Sequence, residues 1–227
     1  AATNDMERFQ ESLSQSLGLV LFITIPSMVG LMVLGDPIIR VLFERGAFGP
    51  HATAMTVKAL LGYAAGLWAF SGCRVLVSAF YALQDTRTPV KVAVVTVITN
   101  MALSLLLMGP LKHAGLALAL SLASMLQLGL LVFTLGRKVP IGKLKELVFP
   151  ALKCGLASVF MGLAILVVGA LWIPMGPGMG GVERIGKLAV LIAVGTGGYF
   201  VFARLLRCGE LELIGDTLRS LRSRGRK

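Results

Sequence analysis

Val92-Ala-Val-Val-Thr-Val-Ile-Thr-Asn-Met-Ala-Leu-Ser-Leu-Leu-Leu-Met-Gly-Pro-Leu111 decides the fold. Its opening, Val92 to Thr99, has the β-branched composition of a strand in a water-soluble protein. The run then continues to Leu111 without an Asp, Glu, Lys or Arg. An open strand in hydrocarbon leaves its N–H and C=O groups unpaired, whereas a helix pairs them internally. A helix rises about 1.5 Å per residue, so roughly 20 apolar residues cross ~30 Å of hydrocarbon. The stretch reads as a transmembrane helix.

Five further apolar runs flank it: Ser12–Gly35, Ala59–Gln84 (interrupted by Arg74), Ala114–Gly136, Cys154–Val182 and Leu188–Ala203. The helical part of the fifth closes before Pro174. The expectation is an all-α integral membrane protein of six spans, with little chain left for a water-soluble domain. A hydrophobic share of 56% against 15% charged residues agrees. Gly62/Gly66, Ser158/Gly162 and Ala193/Gly197 are small-residue pairs four apart that would let helices approach closely.

Punctuation along the chain is expected at its prolines. Pro26 should kink the first span, and Asp36-Pro37 should stop it, leaving Ile38–Phe43 as a short interfacial helix. Gly109-Pro110 should turn the chain into a tight hairpin of the third and fourth spans. Pro89 fits the first turn of the third helix, with Thr86 or Thr88 as its cap. The organisation is four spans in 1–136, a basic linker 137–146, a helix pair in 147–206 and a basic tail 207–227.

The net charge of +11 is a topology signal before it is a sign of nucleic acid, which is not expected as a partner. With six crossings, fifteen Lys and Arg fall on the side of the termini and six on the other, Arg74 lying within a span. The positive-inside rule puts both termini in the cytoplasm, with Pro50–Thr53 and Pro174–Gly181 outside. Leu211, Ile214, Leu218 and Leu221, followed by Arg219 to Lys227, fit an amphipathic helix on anionic lipid; a solvated tail fits equally. Ala1-Ala-Thr-Asn-Asp5 has no initiator Met and no signal-peptide pattern, so a fragment of something longer is expected.

Chemistry-bearing residues are few. Cys73, Cys154 and Cys208 are scattered, as are His51 and His113, so no disulfide, metal or other cofactor is expected. There is no nucleophilic triad, Asp-rich metal motif or phosphate-cradling Gly loop. Arg74 stands out, because a mid-bilayer Arg costs at least ~2.5–3.5 kcal/mol and usually faces a wet cavity or a partner. The alternative is snorkelling to the headgroups. Asn100 either joins that cavity or hydrogen-bonds between helices. Asp85, Arg87, Pro89 and Lys91 compose a charged hinge between the second and third spans.

Phe43-Glu-Arg-Gly-Ala-Phe48, Ala79-Phe-Tyr-Ala-Leu-Gln-Asp-Thr-Arg-Thr-Pro-Val-Lys91 and Gly109-Pro-Leu-Lys-His-Ala-Gly-Leu116 resemble the MurJ (MviN) family. These are bacterial lipid II flippases of the multidrug/oligosaccharidyl-lipid/polysaccharide exporter superfamily. The resemblance implies two six-helix lobes plus two C-terminal helices, this chain matching the last four helices of the second lobe and the terminal pair. It implies transport of lipid II across the bacterial cytoplasmic membrane by alternating access, no catalysis, and dependence on a first lobe. The family's cationic and acidic cavity residues on earlier helices have no counterpart here, so none is carried over. A membrane-embedded polyprenyl-phosphate transferase is the enzymatic alternative, but Asp36, Asp85 and Asp216 are too scattered to hold Mg²⁺. A non-transporting scaffold that pairs with a partner chain is the other.

Overall fold

The computed structural model describes residues 2–44, 48–139, 148–171, 181–206, 208 and 211. Most of the linker, the Pro174–Gly180 loop, and the tail beyond Leu211 lie outside the described residues. Six helices account for nearly all the rest: α1 Ala2–Phe43, α2 Pro50–Ala82, α3 Arg87–Leu111, α4 His113–Gly136, α5 Val148–Leu171 and α6 Gly181–Leu205. Each is long and apolar enough to cross a membrane. The fold is all-α and membrane-spanning.

α1 is one continuous helix of 42 residues, about 63 Å of rise. The Asp36-Pro37 stop does not occur, and Ile38–Phe43 is the end of the same helix. Pro37 removes only one backbone donor. A ladder of Asp36, Arg40 and Glu44 at four-residue spacing straps the turns beyond it, with Arg40 bonded at 2.6 Å to Asp36 and 3.2 Å to Glu44. Pro26 also lies inside the helix, and its missing N–H deprives the Phe22 carbonyl of a partner. The Tyr199 hydroxyl of α6 donates to that carbonyl at 2.7 Å, buried, with the two rings 5.1 Å apart. A neighbouring helix thus repairs the gap that proline leaves.

α2 begins at Pro50, well before the expected Ala59. Pro in the first turn has no N–H to lose, and Thr53, fully buried, bonds through Oγ1 to Glu44 at 3.4 Å. α3 carries Pro110 within its last turn and ends at Leu111, so the turn falls on Lys112, φ 50°. The hairpin forms as expected, one residue later than Gly109-Pro110. Gly115 makes it tight, because a Cβ there would run into the Leu107 carbonyl.

Two ion pairs show which helix ends lie together. Arg184 at the start of α6 meets Glu44 beyond α1 at 3.8 Å, and Lys138 after α4 meets Asp85 between α2 and α3 at 2.5 Å. α2 packs between α1 and α4, while α3 packs on α4 and barely on α2. α5 and α6 pack on each other and on α1. One core joins Leu13, Leu17, Leu76, Phe80, Val92 and Leu131; a second joins Phe22, Leu34, Met161, Ile165, Leu191 and Tyr199. Cys208, which the sequence puts in the basic tail, is buried in this second core, its N–H bonded to the Ala203 carbonyl.

Of the small-residue pairs, Gly62/Gly66 is a close contact. A Cβ on Gly66 would stand 2.7 Å from the Cα of Ser121, and Ser121 Oγ donates to the Gly62 carbonyl at 2.5 Å. Gly162 meets Val29 of α1, but Ala193 and Gly197 are exposed, and Gly195 instead takes the side chain of Ile165. The outward face of α3, including Val94, Val97, Ile98, Met101, Leu105 and Leu106, is apolar and exposed, as a lipid-facing helix requires.

Candidate functional site

Arg74 is exposed on the outer face of α2 and makes no ion pair among the described residues. Its guanidinium lies over the Phe70 ring, 5.0 Å from the centroid. Phe70 is one turn back toward Pro50, whereas the nearer end of α2 is Ala82, about 12 Å away in the other direction. The charge therefore points away from the nearer end of its helix. Side chains lean toward a helix N-terminus, which favours this direction, and a snorkelling Arg would have to reverse it. Ser78, one turn nearer Ala82, donates its hydroxyl to the Arg74 carbonyl at 3.1 Å.

Asn100 is half-buried on α3, and its Oδ1 is buried without a hydrogen-bond donor. With α2 and α3 both packed on α4, no hydrogen bond joins Asn100 to Arg74. The interhelical bond considered for Asn100 is not made through Oδ1.

At the α2–α3 turn, Asp85 does the capping expected of Thr86 or Thr88. Its Oδ1 accepts the backbone N–H groups of Arg87 and Thr88, both at 3.1 Å, and Thr86 makes no side-chain cap. Oδ2 takes Lys138, so the partner comes from the end of α4, outside the expected hinge. The Lys138 ammonium, with Thr88 second, holds the Asp85 carboxyl well below the usual carboxylate range. Arg87 and Lys91 are exposed and Pro89 is buried.

A groove of about 600 Å³ opens between α1, α5 and α6. Phe22, Pro26, Leu34, Met161, Ile165 and Tyr199 contribute to its wall, which is overwhelmingly apolar. Pro26 and Tyr199, the pair that breaks and repairs α1, both face it. Among the described residues no group of three or more His, Cys, Asp and Glu could hold a metal ion.

Sequence reasoning missed four contributors. Glu44 lay in a quoted motif without a role, yet it gathers Arg40, Thr53 and Arg184. Lys138 was counted only as linker charge. Phe70 was readable as the aromatic one turn from Arg74. Tyr199 carries no local signal, since its partner is 177 residues away.

Comparison with known proteins agrees with this architecture. The family model described as lipid II flippase MurJ matches residues 1–179. A probable lipid II flippase MurJ of Rhizobium tropici is 34% identical over 92% of this chain and 39% of its own length. A lipid II flippase MurJ of Thermosipho africanus is 35% identical over 58% of this chain and 28% of its own. A solved structure of a lipid II flippase MurJ in an inward closed conformation superposes with a TM-score of 0.70 at 30% identity. It covers 89% of this chain and 41% of that one, so the chain spans about two fifths of the relatives it matches most fully. With six membrane-crossing helices in the family's arrangement and a family match along most of its length, the chain belongs to the lipid II flippase MurJ family.

Proposed function

We propose that this chain is the C-terminal part of a lipid II transporter, acting without catalysis and together with a first lobe. The outer face of α2 lines the path of the headgroup, with Arg74 as the cation that meets the pyrophosphate. Asn100 of α3 adds a second polar group to that path, and the apolar groove between α1, α5 and α6 takes polyprenyl chain. The α2–α3 turn, with Asp85, Arg87, Pro89 and Lys91, bends as the lobes rock. The protein sits in the bacterial cytoplasmic membrane with the turn, the linker and both ends of this segment in the cytoplasm, where the basic tail meets anionic lipid.

The direction of Arg74 carries this reading. A cation with no ion pair among the described residues, turned toward the middle of its helix, is costly in lipid and favourable in a wet cavity that receives an anion. Coulomb attraction is also stronger there than in bulk water. Arg74→Ala, measured as lipid II translocation with both lobes present and at matched membrane abundance, is expected to impair transport. Arg74→Lys is expected to keep part of it, because charge survives while the bidentate fork is lost. Full transport by Arg74→Ala would end the assignment.

A further inference from the structure

Tyr63, Phe70, Arg74, Ser78 and Tyr81 recur at intervals of three, four and seven, and all are exposed on one face of α2. Arg74 is the single cation in that row. A guanidinium held by a carboxylate would lose both its charge and several of its donors to the partner. A ring face does neither: the quadrupole attracts the cation from below and leaves the N–H groups at the edge of the plane free. The Phe70 ring lies 5.0 Å from the guanidinium carbon, on the side of Arg74 away from the nearer helix end.

We propose that Phe70 is a positioning residue: its ring holds the Arg74 guanidinium on the deep side of α2, with its donors open to the phosphate oxygens of a passing pyrophosphate lipid. This rests on the assignment of Arg74 to the headgroup path. Without the ring, the long side chain is free to swing toward Tyr81 and the nearer interface. The cation is then present but displaced by about one helical turn, ~5 Å.

The test uses the transporter with both lobes present and follows lipid II translocation at matched abundance for four variants. Phe70→Leu keeps an apolar side chain and removes the ring, and is expected to lower translocation about threefold to tenfold. Phe70→Trp is expected to retain at least about half of the activity, since indole is the better ring for a cation. Arg74→Gln is expected to be as impaired as Phe70→Leu or more so. The double variant Phe70→Leu/Arg74→Gln is expected to match Arg74→Gln alone, because a ring without its cation has nothing to position. A separate fluorescence reporter carries Phe70→Trp with every other Trp of the transporter, Trp68 and Trp172 among them, changed to Phe. Its emission is expected to change on Arg74→Gln if the indole and guanidinium touch.

Normal transport by Phe70→Leu beside a defective Arg74→Gln would overturn the role of Phe70 and leave the Arg74 assignment standing. Multiplying losses in the double variant, or a reporter indifferent to Arg74, would also overturn it. Normal transport by Arg74→Gln would remove both.

Discussion

At the scale of single residues, the molecule is held by polar contacts placed where the backbone would otherwise be unsatisfied. Tyr199 is the clearest. Its hydroxyl is the donor that Pro26 cannot supply to Phe22. Tyr199→Phe leaves that carbonyl buried and unpaired, a loss of about 1–3 kcal/mol. Pro26→Ala returns a backbone N–H to the same carbonyl, so Tyr199→Phe in that background is expected to cost little. Thermal unfolding of the four variants in one detergent measures the coupling; additive losses would show that the hydroxyl serves some other partner.

Asp85 gives a pH-dependent counterpart. Its carboxyl titrates below the unfolded value of about 3.9, because the folded state binds the charged form to Lys138 and to two backbone N–H groups. The stability it contributes is therefore present above pH ~4 and is lost as the pH falls below that toward the folded value. Asp85→Asn is expected to flatten the acid side of the stability profile and to lower stability near neutrality. A melting series from pH ~3 to ~7 reads both effects, and an unchanged acid limb would separate Asp85 from it.

At the scale of elements, the α2–α4 seam is set by absent atoms. Gly66→Ala places a methyl 2.7 Å from the Ser121 backbone and pushes Ser121 Oγ away from the Gly62 carbonyl. Overpacking of this kind costs about 1–3 kcal/mol. Gly197→Ala, with open space around it, is the matched control and is expected to be neutral or slightly stabilising. Comparing detergent melting of the two separates helix contact from helix propensity.

Six helices were legible because uncharged runs near 20 residues have one stable form in hydrocarbon. Their ends were less so. The first turns of α2 hold His51, Thr53, Thr56 and Lys58, so hydropathy fades there, and the bond from the buried Thr53 to Glu44, nine residues back, is what anchors them. Pro37 and Pro110 read as breaks because proline costs a bond, yet the cost of one bond is met by an ion-pair ladder in the first case. In the second, Pro110 withholds the donor from the Leu106 carbonyl, and the helix ends one residue later at Leu111. Arg74 and the Asp85 turn were visible as charges out of place. Their partners Phe70 and Lys138 were visible only as neighbours, and the lining of the groove was not legible, since three helices distant in sequence compose it.

At the scale of the whole molecule, charge and cavity give two expectations. A cysteine at position 86 in a Cys-free background is expected to resist an impermeant reagent added outside, while one at position 51 reacts. Labelling of position 86 from outside would invert the topology. These residues expressed by themselves are expected to insert but not to sustain a strain depleted of its own flippase, since under the proposed function they offer one wall of a two-walled path. Growth of that strain on the segment alone would refute the division of labour.

The bond from Tyr199 to Phe22 also dictates an order of events at the ribosome. Chains grow at about 5–20 residues per second, so the 177 residues between donor and acceptor represent roughly 10 to 35 s of synthesis. Until Tyr199 is made, the Phe22 carbonyl lacks the donor that meets it in the folded protein. Whatever serves it meanwhile, lipid headgroup water or the insertion machinery, must leave when α6 arrives. The arrival of α6 thus completes α1, and a chain that stops short of it leaves that helix unfinished.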